Sequence, residues 1–398
     1  MNKLYVIGAG PGSADMLTPE ARSAINGSDL VWCAERNGAL VPENKRRPLT
    51  PFGAAMDEMA QALERGENAA ALLSGDTGLY SLLPLLVKRF GKENVHVICG
   101  ISSVQALCAR LGMSWQDAKI VSAHGRALSK NALCHFCRTN PKTIVLLDGE
   151  NNPKWVQAAL SEGGLAGARL FIGEKLSYPD ESVGLYEDRE YDPLSVALIL
   201  NDAPHDDIRP SGLDDGEFIR GKTPMTKSEI RAQVISKLRL APDSLVWDIG
   251  AGTGSGSVEC ALNCPLGEVY AVERDEEALE LIRQNKANFR ALNIRITAGS
   301  APEALEGLPA PTHVFLGGTG GETEEILKKL EGFGRRICVC ATAVTMESAE
   351  LYMKLLSGYA DFSAAQVAVS RLEKVGRYNM FRAQNPVFVF AATMEGEI

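Results

Sequence analysis

The stretch VWDIGAGTGSGS, residues 246 to 257, sets an acid, Asp248, at the end of an apolar run and follows it with Gly250, Gly252, Thr253 and Gly254. Apolar run, glycine turn and helical pattern are the parts of a strand-to-helix crevice. Without Cβ atoms, the backbone can turn tightly and a ligand can approach the amides at the helix start. An earlier stretch, VIGAGPGS at residues 6 to 13, repeats the plan with Gly8, Gly10, Pro11 and Gly12. Its proline fixes φ and removes a backbone donor, so this loop is poorly suited to cradling phosphate.

The neighbours of the second loop narrow its ligand. The next apolar run, EVYAVERD, ends in Glu273, placed like the acid that binds ribose hydroxyls in Rossmann-like sheets. Asp248 stands before the first glycine, where a dinucleotide site usually has an apolar residue. THVFLGGTGG supplies an open floor at Gly317 and Gly318, where a substrate can meet a cofactor. Together these favour S-adenosylmethionine over NAD. Thr226 and Glu229 stand at capping-box spacing, which accounts for Thr226 as well as ligand contact does.

These loops need sheets to position them. Apolar runs alternate with helical patterns along all 398 residues, as in α/β proteins. The first half reads as eight strands, from LYVIGAG to VALILN. The second reads as seven, ending in AAQVAVSRLE and PVFVFAATM, which could form an antiparallel edge. Residues 201 to 224, rich in Pro, Gly and acids, read as a linker, so domains are expected over 1–204 and 205–398.

Composition restricts the partners. A formal charge of -9 argues against nucleic-acid or membrane-surface binding. The start of the chain lacks the apolar centre of a signal peptide, and the apolar region Ala69 to Val87 is broken by Gly75, Asp76, Gly78 and Pro84, so a cytoplasmic protein is expected. Nine irregularly spaced cysteines fit reduced thiols. CHFC, Cys134 to Cys137, has no second ligand pair and is read as ordinary thiols in a helix; no metal site is expected.

Beyond these readings, GKTPMTKSEIR, WDIGAGTGSGSVECAL, AVERDEEALELIRQN, AGSAPEAL and FLGGTGG resemble, over nearly all of 205–398, the C15-methylating, decarboxylating domain family of corrin biosynthesis. That implies a Rossmann-like class I S-adenosylmethionine methyltransferase fold, with Gly299, Ser300 and Ala301 near the cofactor. VIGAGPGSADMLTPEA, LLSGDTGLYS, CGISSVQALCARLG, SAHGR, LLDGENNP and GEKLSYPDE resemble the tetrapyrrole methylases over residues 1 to about 200. This implies a two-lobed class III methyltransferase fold, with Gly75, Asp76, Tyr80, Ser102, Ser103 and Val104 near a second cofactor; read structurally, Asp76 caps a helix instead. SGDTGLYS departs from the common pattern, which has proline at Thr77.

The fused families imply methylation of C5 and C15 of a reduced precorrin-6, loss of carbon dioxide from its C12 acetate, one S-adenosylmethionine per domain, and a homo-oligomer. Alkylation by a sulfonium needs alignment more than a strong base. The sequence assigns no general acid for decarboxylation; His313, just before VFLGG, is a candidate, with a structural role at the strand entry as its other reading. A polycarboxylate substrate calls for guanidinium groups: Arg126 first, with Arg46, Arg47, Arg335, Arg336, Arg371 and Arg377 also available. The competing readings are a methyltransferase acting on another tetrapyrrole or on RNA, a nicotinamide-dependent dehydrogenase, and a non-catalytic corrin carrier.

Overall fold

The computed structural model describes residues 3–125, 127–205 and 210–396. Two compact units are resolved by contact: residues 1–128, 136–160 and 165–205 form one, and 129–135, 161–164 and 206–398 the other.

The first unit holds two five-stranded sheets. In the first, β1 (Leu4–Gly8), β2 (Leu30–Cys33), β3 (Arg46–Pro48), β4 (Ala69–Leu73) and β5 (Val95–Ile98) are all parallel, in the order β3-β2-β4-β1-β5. Burial on both faces explains the unbroken apolar run of β4, each residue of which is buried. Parallel pairing puts the carboxyl ends at one edge, and there the loops after β1, β4 and β5 meet. In the second sheet β6 (Lys119–Ser122), β7 (Lys142–Leu146), β8 (Arg169–Glu174), β9 (Ser182–Leu185) and β10 (Ser195–Leu200) run in the order β6-β7-β10-β8-β9. Only the β6–β7 pair is parallel. The eight runs read from the sequence are all strands; β3 and β9 are additional. β3 lacks apolar character, and β9 pairs only at an edge.

The second unit is built on one seven-stranded sheet of order β13-β12-β11-β14-β15-β19-β16. Its strands are β11 (Leu245–Ile249), β12 (Glu268–Glu273), β13 (Ile294–Ala298), β14 (His313–Leu316), β15 (Ile337–Ala343), β16 (Ala360–Val367) and β19 (Val387–Met394). Strands β11 to β15 are parallel, and β19 enters antiparallel between β15 and β16. The chain leaves β11 toward β12 and β13, then returns to the other side at β14. That reversal opens a crevice beyond the carboxyl ends of β11 and β14, the usual ligand position in doubly wound sheets. Alternation along β11 sends Val246 into one apolar core and Trp247 and Ile249 into the other.

AAQVAVSRLE is two strands. β16 ends at Val367, and Ser370–Val375 (β17) turns through Gly376 and Arg377 into Tyr378–Ala383 (β18). Gly376 has φ +61°, while Arg377 keeps an ordinary negative φ, as a two-residue type II′ hairpin requires. Among the described residues no helix is long and apolar enough to cross a membrane.

Candidate functional site

In the first unit, glycine is imposed by backbone against backbone. A Cβ on Gly8 would lie 2.5 Å from the nitrogen of Gly100, and one on Gly100 would lie 2.3 Å from the carbonyl of Gly75. Gly10 and Gly75 exchange amide hydrogen bonds of 3.1 and 2.9 Å. The first loop is therefore sewn to those after β4 and β5. Asp76 strengthens the seam: its carboxylate accepts from the amide of Gly78 at 2.8 Å and that of Gly100 at 3.1 Å. It caps no helix, since the following one, Leu83–Phe90, begins after Leu82 with no side-chain cap.

The second lobe reaches the same loops. The ring of Tyr178 fills the space a Cβ on Gly12 would need, at 2.2 Å, and the amide of Ser13 donates to the hydroxyl of Ser177 at 2.9 Å. Tyr80, in the left-handed region at φ +49°, donates its hydroxyl to the carbonyl of Ile120 at 2.9 Å. Ser102 and Gln105 form a reciprocal capping box on the helix Ser103–Leu111, the Cα of Ser102 lies 3.9 Å from the Cβ position of Gly75, and Val104 is core. Pro11 lies half-buried between Gly10 and Gly12.

Beside this edge lies a cavity of about 500 Å³ lined by Cys33, Glu35, Arg46, Arg47, Leu49 and Thr50. It sits at the carboxyl ends of β2 and β3, and Arg36 and Asn37 donate to the hydroxyl of Ser74, next to Gly75. Arg46 and Arg47 bond to the carbonyls of Val41 and Arg46 and have no ion-pair partner among the described residues. Arg126 lies outside the described residues.

In the second unit a Cβ on Gly250, at φ +73°, would stand 2.2 Å from the carbonyl oxygen of Gly318. The amides of Gly317 and Gly318 both donate to the carbonyl of Ile249, at 2.9 and 3.2 Å, so the two glycine turns form one surface. Gly252 and Gly254 also hold left-handed φ values, +56° and +76°. Glu273 accepts from the amide of Gly252 at 2.8 Å, and from those of Arg274 at 2.8 Å and Asp275 at 3.0 Å. A carboxylate has about four acceptor positions, so one remains for a hydroxyl. The amide of Gly299 donates to the carbonyl of Glu273 at 2.8 Å, which brings Gly299, Ser300 and Ala301 to the same edge.

Asp248 is 1% exposed. One carboxylate oxygen accepts from Ser257 at 2.5 Å; the other has no partner among the described residues, nor has the buried hydroxyl of Thr253. Burial pushes the Asp248 carboxyl up to about 6; the Ser257 hydrogen bond opposes this, and the Glu273 charge adds to it. Two orphaned buried polar atoms beside glycines with no space for side chains fit a polar ligand lying on this loop.

Three expectations are corrected. His313 is the first residue of β14, paired with Val246 and Cys338, so it lies at the amino-terminal edge of the sheet, three residues from the crevice end. At ~3.3 Å per residue the crevice is ~10 Å away. Burial lowers its pKa, and the hydroxyl of Thr312 lies 2.8 Å from its Nδ1. It is a structural histidine. Thr226 caps nothing: the helix Ser228–Leu238 starts after Lys227, and Glu229 is held by Arg371. The segment carrying Thr226 does border the site, with the carbonyl of Pro224 at 3.4 Å and the methyl of Thr223 at 3.7 Å from the Cβ position of Gly252. Arg371 is taken up by Asp215 and Glu229.

Sequence reading missed Tyr178, Ser177, Ser257 and Asn285. Asn285, fully buried, donates to the carbonyls of Thr253 and Ile219 and so fixes the loop from behind. Only Asn285 carried a signal, a polar residue on an otherwise apolar helix face. Cys134 and Cys137 are buried in the helix Lys130–Thr139, and no group of three metal-ligating side chains is found among the described residues.

Residues 3–186 match the model of the Tetrapyrrole (Corrin/Porphyrin) Methylases, and residues 217–394 match that of the Precorrin methyltransferase domain. A Sinorhizobium protein named precorrin-6Y C(5,15)-methyltransferase [decarboxylating] is 28% identical over 96% of this chain and 94% of its own. A Pyrobaculum calidifontis protein named probable cobalt-precorrin-6B C(15)-methyltransferase (decarboxylating) is 38% identical over 46% of this chain and 95% of its own. A solved Geobacter metallireducens structure titled precorrin-6y C5,15-methyltransferase has 38% identity and TM-score 0.44, covering 46% of this chain and 97% of its own. With both family models in tandem and a 38% identical relative matched over nearly its whole length, the chain belongs to the decarboxylating precorrin methyltransferase family, in its form with a leading tetrapyrrole methylase domain.

Proposed function

We propose that this protein methylates C5 and C15 of a reduced precorrin-6 and removes carbon dioxide from its C12 acetate, with C5 the work of residues 1–204 and C15 and decarboxylation that of residues 205–398. The observation that carries the reading is the presence of two separate glycine-lined strand edges, each in its own unit and each within its own family match. Methyltransferases of this family use S-adenosylmethionine, and one per unit is proposed.

When bound, S-adenosylmethionine supplies a methyl group on a sulfonium, already a good leaving group. The protein's part is to align that methyl with an electron-rich ring carbon and exclude water. In the second unit Glu273 would take ribose hydroxyls, the orphaned oxygen of Asp248 and the hydroxyl of Thr253 would meet polar groups of the donor, and Gly317 and Gly318, without side chains, would let a substrate approach. In the first unit Gly8, Gly10, Gly75 and Gly100 leave a side-chain-free wall, and Arg46 and Arg47 would pair with substrate carboxylates. Decarboxylation breaks the bond between the acetate methylene and its carboxylate; the electron pair passes into the conjugated ring, and a proton is later returned. His313 does not supply that proton.

Self-association is also proposed. Its support is the β17–β18 hairpin, which exposes Leu372, Val375, Tyr378, Met380 and Phe381, the last at 75%. The deciding experiment is the product mass after incubation of the full chain with S-adenosylmethionine and reduced precorrin-6. Two methyl gains with loss of one carbon dioxide are expected. A product with methyl gains and no carbon dioxide loss, or an unchanged substrate beside bound donor, defeats the assignment.

A further inference from the structure

Arg231 is 1% exposed and is spent on one task. Its guanidinium pairs with Glu259 at 2.6 Å and with Asp215 at 2.9 Å, and it donates to the carbonyls of Leu213, at 2.5 Å, and Thr226. Leu213 and Thr226 are the two ends of one surface loop, so this single side chain closes it, an arrangement like that of compact Ω-loops. Glu259 holds the same end by accepting from the amides of Gly212 and Leu213, at 2.6 and 3.1 Å. Between its ends the loop is pinned to the helix Glu276–Asn288. Ile219 exchanges hydrogen bonds with Asn285, and the amide of Lys222 donates to Glu277 at 3.0 Å. It then passes over Gly252, with Thr223 and Pro224 in near contact.

Arg371 joins this closure from outside. It stands on β17, one third exposed, and reaches Asp215 at 2.8 Å, Glu229 at 2.5 Å and the hydroxyl of Ser228 at 3.1 Å. With it, two guanidinium groups face three carboxylates, Asp215, Glu229 and Glu259. Without it, one faces three in a largely buried place, and the excess negative charge pushes the loop ends apart.

We propose that Arg371 is a positioning residue for the C-terminal methyl-donor site: from the hairpin it completes the charge closure of the loop Leu213–Thr226, and that loop is the wall against which the donor is held over Gly252. This rests on the proposed donor site of the second unit and adds to it a control on affinity that comes from another element. Arg371 touches no donor or substrate. Its loss therefore weakens donor binding and leaves the bound geometry, and with it the saturated rate, nearly intact.

The test uses the full-length protein and S-adenosylhomocysteine as probe, with hydrogen exchange as a local readout. Protection of residues 249–258 reports occupancy of the C-terminal site, and protection of residues 72–80 that of the N-terminal site. Arg371→Gln should raise the half-saturating concentration at residues 249–258 about tenfold, speed exchange in 213–226, and leave residues 72–80 unchanged. Arg371→Lys should recover part of the loss, because it restores charge without the fork. Glu229→Gln, which leaves two guanidinium groups facing two carboxylates, should keep half-saturation at residues 249–258 within about twofold of the parent, and a loss as large as that of Arg371→Gln overturns the charge argument. Unchanged half-saturation in Arg371→Gln, or equal shifts at both sites, overturns the proposal. Absence of any probe protection at residues 249–258 in the unmodified protein sinks the donor site itself and the closure with it.

Discussion

Asp248→Asn should make the second unit more stable, and the gain should depend on pH in a defined way. A carboxyl moved from 3.8 to about 6 carries roughly 3 kcal/mol against its ionised form in the folded state. Because the folded pKa is raised, the folded protein binds this proton more tightly than the unfolded chain does. The contribution of Asp248 is therefore most favourable below pH 3.8, falls as pH rises toward 6, and stays low above that. Asparagine has the shape of the protonated acid and cannot ionise. Both side chains leave one polar atom unpaired and keep an oxygen for Ser257, so those terms cancel in the comparison.

The stability difference should then be about 0.5 kcal/mol at pH 4 and about 3 kcal/mol in favour of Asn at pH 7.5. For a unit of this size that corresponds to roughly 5–10 °C in Tm. Denaturant unfolding of the full chain, followed through Trp247 in the core of the second unit, measures it at several pH values. A difference independent of pH, or a loss of stability at pH 7.5, would refute the electrostatic argument. S-adenosylhomocysteine should stabilise the Asn variant less than the parent, because an acid this costly is retained only where its charge meets a ligand.

Three other outcomes are specific. Gly250→Ala should abolish C15 methylation and destabilise the second unit by at least ~2 kcal/mol, since the new methyl meets the Gly318 backbone at a left-handed φ; product mass should show C5 methylation persisting. His313→Asn should keep both methylations and the decarboxylation within about threefold of the parent in initial-rate assays, and a loss of decarboxylation alone would restore the histidine to the chemistry. The carboxyl of Asp215 is buried, which raises its pKa, but hydrogen bonds from Arg371 and Arg231 outweigh this and hold it below the usual range; the Arg371 bond lowers Glu229 likewise. Stability from depressed carboxyls is complete above the unfolded values, ~4, and is lost only as pH falls through the folded ones, so exchange in 213–226 by local opening, corrected for intrinsic rate and for the pH-dependent unfolding of the whole unit, should be flat from pH 8 to 5.

The legible parts of this chain were those whose reason is local. Strand, glycine turn and following acid lie within about thirty residues of one another in the second unit, and the near-unbroken apolar runs of β11 and β12 mark strands covered on both faces. The hairpin was not legible: the apolar residues of SRLEKVGRYNMFRA face outward, so their pattern belongs to no core of the unit. His313 misleads because a residue that opens a parallel strand stands at the edge opposite the loops, a consequence of strand direction and not of residue type.

The two glycine loops also differ in a way that sequence does not display. Gly250 is required by backbone, a carbonyl 2.2 Å from its Cβ position, whereas Gly12 meets a side chain, the ring of Tyr178 at the same distance, at a φ of +157° that residues with side chains rarely adopt. No neighbouring change can move the first obstacle without moving β14. The second can be removed. Gly12→Ala should therefore lose most C5 methylation while the double variant Gly12→Ala, Tyr178→Ala regains part of it, limited by the backbone strain that stays at residue 12, and no corresponding partner exists for Gly250→Ala. Rates of C5 methylation for the two single variants and the double variant decide it. If the double variant is no better than Gly12→Ala alone, the clash with the ring is not what limits the single variant, and the backbone conformation at residue 12 is what requires glycine there.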